Sequence, residues 1–173
     1  MGSVKSELLV FETALGACGL RWSEEGVAEV LMPGSRELAG RHRTESPPRP
    51  LRESITRIVS LLEGDPDDLR SIALDERALD DFSRRAYAAT RKIGPGSTAT
   101  YGEIARAVGA PDAARAVGGA LASNPFPIIV PCHRVLAADG ALHGFSAPGG
   151  IATKRKMLEI ERAPGFTQQA LFA

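Results

Sequence analysis

Cysteine is scarce in this chain: Cys18 and Cys132 are the two among 173 residues. So few give no support to a disulfide framework, and a reduced intracellular thiol is the better expectation. Long apolar runs are missing too. Nothing approaches the roughly 18 consecutive apolar residues needed to cross a bilayer. The start lacks the basic segment followed by an apolar block that marks a secretory signal. Met1-Gly2-Ser3-Val4-Lys5-Ser6 fits a loose myristoylation pattern, but so short a match reads better as an ordinary flexible start. His42 and His143 are scattered, and with Cys18 they form no recognisable zinc spacing. No metal is expected.

Net charge is also absent, 21 basic residues balancing 21 acidic ones. The balance conceals a division. Residues 1–81 hold 10 Lys and Arg against 16 Asp and Glu, whereas residues 82–173 hold 11 against 5. An acidic half joined to a basic half fits a nucleic-acid-facing domain with a supporting one, and mutual attraction between the halves explains it equally well. At 173 residues and 43% apolar content, the chain is long enough for a real core in one large domain or two small ones.

Three short strands are expected first, at residues 8–13, 18–23 and 26–32, with turns around Gly16 and Gly26 making an antiparallel meander. Residues 41–50, with three prolines and several charges, read as an exposed loop. Ile55, Ile58, Val59 and Leu62 then recur at spacings of three and four, an amphipathic helix ended by Gly64-Asp65-Pro66. A short strand at 71–74 closes a first domain, residues 1–78. A second, residues 79–163, opens with a helix whose face is Phe82, Ala86, Ala89 and Ile93. Residues 164–173 are a tail.

Thr100 and Glu103 have the spacing of a capping box, which starts a short helix. A turn at Gly109 leads to a second helix over 113–122, for which Asp112 is the natural cap. Two short helices about a tight turn resemble a helix-turn-helix, a weak signal alone. The second helix is nearly devoid of bulk. Gly118 and Gly119 each cost roughly 1 kcal/mol against alanine in a helix, so something requires their smallness. Close packing against a neighbouring backbone is one reason. Close approach of a DNA backbone is the other, with Arg115 the only long side chain able to enter a groove.

The most informative segment is Pro131-Cys132-His133-Arg134, which follows the apolar run Ile128-Ile129-Val130. A cysteine beside a histidine, fixed by prolines at the end of a buried strand, suggests a thiolate kept ready for attack. A buried apolar cysteine beside a core histidine is the alternative. Cys18, in a strand with no histidine nearby, reads as core packing.

Several linked motifs resemble the O6-alkylguanine-DNA alkyltransferases, also called methylated-DNA–protein-cysteine methyltransferases. Tyr101-Gly102-Glu103-Ile104-Ala105, Ala114-Arg115-Ala116-Val117-Gly118, Asn124-Pro125, Pro131-Cys132-His133-Arg134-Val135, Gly149-Gly150 and Lys154 stand in family order and, one insertion apart, at family spacing. The resemblance implies an α+β fold, with a small N-terminal α/β domain and a mostly helical, winged helix-turn-helix-like domain carrying the site. It implies Cys132 as acceptor of an alkyl group from guanine O6, and less well from thymine O4, each molecule acting once.

By the same resemblance His133 takes the thiol proton through a water, Glu161 orients His133, and Asn124 bridges loops that hold the nucleophile. Arg115 fills the gap left by the flipped base, with Ala114 and Gly118 beside it on the DNA. Tyr101 helps rotate the phosphate and donates to the departing base. Ser146 donates to O6, and Pro127, Val135 and Phe145 line the pocket. The partner implied is double-stranded DNA entered through the minor groove, met by a monomer inside the cell. Cofactors are not expected, because the alkyl group arrives with the DNA and its acceptor belongs to the protein.

Three departures stand out. Phe145 replaces a common tyrosine, Tyr87 stands where tryptophan is common, and Ser146-Ala147-Pro148-Gly149-Gly150 is two residues longer than the usual turn. The longer loop should border the lesion pocket and alter the range of alkyl sizes, in a direction that sequence does not give. Two other functions fit the same motifs less well. A lesion-binding alkyltransferase-like protein lacks the cysteine that is present here, and an acceptor for small-molecule alkyl donors has no use for Arg115.

Overall fold

A computed structural model describes residues 7–142 and 144–166. The myristoylation pattern, His143 and residues 167–173 lie outside them. The chain opens with three antiparallel strands, β1 (Leu9–Thr13), β2 (Gly16–Ser23) and β3 (Gly26–Leu31), side by side in that order. Side-chain alternation separates their two faces. Leu9, Phe11, Cys18 and Leu20 turn to the main core, while Leu8 and Val10 pack with Leu38 on the other side. Helix α1 (Arg49–Leu62) lays Ile58, Leu61 and Leu62 on the sheet, each buried side chain contributing about 1.5–3 kcal/mol. Cys18 is fully buried, and burial pushes its thiol up to about 11, so it is a packing residue.

The strand expected at 71–74 shrinks to one isolated bridge between Val27 and Leu74. Within it the Ala73 carbonyl accepts from Val27, while the Arg91 guanidinium donates to the Ile72 carbonyl at 2.9 Å and to those of Leu69 and Arg70 just before it at 2.9 and 3.0 Å. A half-buried arginine from the second half therefore clasps the chain leading into this segment, whose pairing is limited to one bridge.

Helix α2 (Asp81–Thr90) is capped by Asp80, whose Oδ1 accepts from the Ser83 amide. Tyr87 is buried beneath it, donating to the Ala120 carbonyl at 2.7 Å with its ring edge-on to Phe126. Strand β4 (Ala99–Thr100) leads into α3 (Tyr101–Ala107), where the expected capping box is complete: Glu103 N–H donates to Thr100 Oγ1 and Thr100 N–H to Glu103 Oε2. Gly109 takes the turn at φ +77°, a conformation favouring glycine. Helix α4 (Ala114–Ala122) follows, but Asp112 does not cap it. The Ala113 amide bonds back to the Ala110 carbonyl, which makes Ala113 the cap residue, with no side chain serving. Strand β5 (Val135–Leu136) pairs in parallel with β4, and α5 (Gly150–Ile160) closes the α+β architecture. One apolar core runs from Leu9 in the sheet to Met157 in α5. The halves are thus packed as one body.

Candidate active site

No strand precedes the cysteine. Ile128 has φ +76°, a sparsely populated conformation for a β-branched residue, and residues 128–130 form turns instead. Asn124 holds them. Its Nδ2 donates to the Val130 carbonyl at 3.0 Å while its Oδ1 accepts from the Phe126 amide at 2.9 Å. One side chain thereby ties both ends of the segment that delivers Cys132. The neighbouring carbonyl of Pro125 accepts from Val30 of β3, docking the first half on the same segment.

Cys132, His133 and Arg134 make a single 3-10 turn, and all three are buried. The imidazole Nε2–H of His133 donates to Glu161 Oε1 at 2.8 Å. That bond assigns the proton to Nε2 and leaves Nδ1 as the acceptor. Nδ1 is buried and has no hydrogen-bond partner among the described residues. Arg134 grips the same carboxylate twice, from Nη2 to Oε1 at 2.7 Å and from Nε to Oε2 at 2.9 Å, and its Nη1 donates to the Ile93 carbonyl. Burial opposes ionisation of Glu161, yet His133 and Arg134 beside it hold its carboxyl at about 2. His133 is pushed down by burial despite Glu161, so the imidazole is neutral at pH 7 and ready to receive a proton.

The cysteine departs from the expected thiolate. Burial pushes the Cys132 thiol up, opposed by a hydrogen bond from Asn124 and by the Lys154 ammonium. The resting group is a thiol, and its proton has to be taken up by a base for the sulfur to attack. Lys154 is itself buried, its Nζ donating to the Val135 carbonyl at 2.7 Å.

Cys132 reaches a cavity of about 200 Å³ between the two halves. Val30, Met32 and Ser35 wall it on one side and Asn124, Pro127, Phe145 and Ser146 on the other. The Ser146 hydroxyl is already committed, donating to the Ala122 carbonyl at 2.7 Å. Two residues assigned to the pocket stand apart from its wall. Val135 is fully buried in β5 against Ala99. Tyr101 is half-buried at the start of α3, where its ring edge lies 4.0 Å from the position a Cβ on Gly118 would take.

The small face of α4 is not explained by contacts inside the molecule. A Cβ at Gly119 would meet nothing within 4 Å, and one at Gly118 only that tyrosine edge, an ordinary contact. Internal packing does not require either glycine. Ala114 is half-buried beside them, and Arg115 is exposed with no hydrogen bond or ion pair among the described residues.

Arg134 and Lys154 carry functions the sequence reading left unassigned. Lys154 had a signal: it lies three and four residues before Met157 and Leu158, on the buried stripe of α5, where a lysine is costly. Arg134 had none beyond membership of its motif.

The family model described as 6-O-methylguanine DNA methyltransferase, DNA binding domain, matches residues 81–163. A methylated-DNA–protein-cysteine methyltransferase of Methanothermobacter thermautotrophicus is 36% identical over 145 residues, 83% of this chain and 78% of that protein. One from Mycobacterium tuberculosis is 48% identical over 101 residues, 58% of this chain and 59% of that one. The crystal structure of the Mycobacterium tuberculosis OGT in complex with DNA superposes with a TM-score of 0.75 at 34% identity, covering 92% of this chain and 96% of that one. Similarity of this extent spans both halves and the cavity between them, and the chain belongs to the family of methylated-DNA–protein-cysteine methyltransferases.

Proposed function

We propose that this protein repairs DNA by direct reversal, moving a methyl or other alkyl group from guanine O6, and less readily thymine O4, onto Cys132. The observation that carries the reading is the buried chain Cys132–His133–Glu161–Arg134 opening on a cavity. His133 Nδ1 takes the thiol proton through an intervening water, and the imidazolium formed is stabilised by Glu161, which Arg134 keeps ionised. The sulfur then attacks the sp3 carbon. A C–S bond forms, the C–O6 bond breaks, and its electron pair passes to the guanine ring, which gains a proton. The product is a thioether with no route back to thiol, so one chain serves one lesion, and a single chain suffices. Nothing in this sequence of steps calls for a cofactor.

The base must leave the duplex to reach the cavity, at a cost of a few kcal/mol that is smaller for a damaged pair. Support for this comes from α4, with Arg115 projecting beside a glycine surface that internal packing does not need. Double-stranded DNA meets that face through its minor groove, Ala114 and Gly118 allowing close approach and Arg115 entering the gap. Tyr101 stands against Gly118 rather than in the cavity, which suits a role on the rotated phosphate better than direct contact with the base. Two free cysteines suit a reducing, intracellular setting, cytoplasmic and at the nucleoid in a bacterium. No helix among the described residues is long and apolar enough to cross a membrane.

Mass spectrometry after incubation with duplex DNA containing O6-methylguanine tests the reading. One methyl group per molecule, on Cys132, is expected. Turnover beyond one equivalent, or methyl on Cys18, sinks it. Arg115→Ala should slow repair in duplex DNA by about 1–3 kcal/mol, roughly 5- to 150-fold, because the arginine acts on the flipped state. Reaction with free O6-benzylguanine should change far less. Equal losses on both substrates would put Arg115 in the pocket or in folding.

A further inference from the structure

Pro148 faces two ways. It lines the cavity that Cys132 reaches, and it sits on the turn that follows β3. A Cβ on Gly34 would lie 3.1 Å from Pro148 Cβ, and Gly34 has φ +89°, so this seat suits glycine for both space and backbone. The same turn places Met32 and Ser35 on the cavity wall. From behind, the loop is tied to α4 at one point and braced by its own turn and by the first turn of α5. Ser146 Oγ donates to the Ala122 carbonyl, the Gly150 amide to the Ala147 carbonyl at 3.0 Å, and Thr153 Oγ1 to the Pro148 carbonyl at 2.9 Å.

We infer that Pro148 and the Gly34-Ser35 turn of the N-terminal half together form the outer wall of the alkyl pocket and set the largest group it admits. This rests on the alkyl-transfer reading above. A loop pinned on its inner side and seated on the other half at its tip is a fixed wall rather than a swinging lid. The two residues by which the loop exceeds the family's usual turn, Ala147 and Pro148, therefore both border the cavity, Pro148 with one face on it and the other exposed to solvent. Selection by size is in this way shared with a domain that holds no nucleophile.

The test compares rates of Cys132 alkylation from duplex oligonucleotides carrying O6-methylguanine or O6-benzylguanine. It uses the full chain, Pro148→Gly, a deletion of Ala147 and Pro148, and Ser35→Phe. Ser35 is a tolerant site, since its hydroxyl makes no capping hydrogen bond. The two opening variants should raise the benzyl-to-methyl rate ratio by about tenfold, the lower end of what one methylene is worth in an apolar pocket. Ser35→Phe should lower it by about as much. An unchanged ratio in both opening variants overturns the wall. A ratio that responds to Pro148 but not to Ser35→Phe overturns the N-terminal share in it. Failure of the unaltered chain to methylate Cys132 would instead fall on the transfer reading itself.

Discussion

Cys132→Ser retains binding to duplex DNA containing O6-methylguanine and loses methyl transfer. The expected loss is roughly a millionfold, the scale seen when a covalent nucleophile is removed elsewhere, and it would read as no transfer at all. A serine hydroxyl is far less acidic than a thiol, whose ordinary pKa is about 8.5, and is much the weaker nucleophile at neutral pH. The substitution is nearly isosteric, and a hydroxyl can keep the contact with Asn124 that the sulfur has. Binding is read by gel shift on lesion-bearing duplex, and transfer by mass spectrometry. Transfer surviving in this variant would remove Cys132 from the reaction. Loss of binding together with transfer would mean that the change disturbs the cavity and not only the chemistry.

His133→Ala should slow transfer by about 10²–10⁴-fold at pH 7, the usual worth of a general base, and the deficit should shrink as pH rises. The sign follows from the site. Burial pushes the thiol up, so without a base the thiolate fraction, and the rate, climb about tenfold per pH unit through the neutral range. In the unaltered protein the imidazole is pushed down by burial and is neutral, hence competent, at and above pH 7. Its rate should therefore be flat there and fall only in acid, as His133 takes up a proton. Glu161→Gln should show the same slope in weaker form, because the amide neither fixes the charge nor satisfies Arg134. That variant also breaks a buried ion pair, a loss of about 3–5 kcal/mol of stability. The pH slope separates the two effects, since a merely destabilised protein keeps the parent profile. Parallel profiles for parent and His133→Ala would refute the base assignment.

What could be read from sequence was what local chemistry decides. The Thr100–Glu103 capping box acts over three residues and formed as expected. The meander expected at 8–13, 18–23 and 26–32 formed with every strand end within two residues of its expected place. Failures came where a distant group intervenes. The segment at 71–74 has strand composition, but Arg91, some twenty residues on, holds the chain entering it by the Leu69, Arg70 and Ile72 carbonyls, and one bridge forms. Ile128-Ile129-Val130 has the composition of a buried strand, yet Ile128 bends to a positive φ that Asn124 and the packing around it sustain. Asp112 lost its cap to a turn closing one residue later. The partnership of His133 with Glu161 spans 28 residues and was legible only by resemblance. The thiol's raised pKa was legible in neither way, because it depends on how deeply the turn is buried.

The bare face of α4 has a consequence for how this protein can change. Alanine at Gly118 or Gly119 would meet no obstacle inside the molecule and would favour the helix by roughly 1 kcal/mol at each position. A chain selected for durability alone would drift to alanine at both. Glycine there holds the fold below the stability it could reach and, on the proposed reading, leaves a surface smooth enough for another molecule's backbone to lie on. On that reading, such positions are where thermostabilising substitutions should be sought last, since alanine there is expected to slow repair as it adds stability.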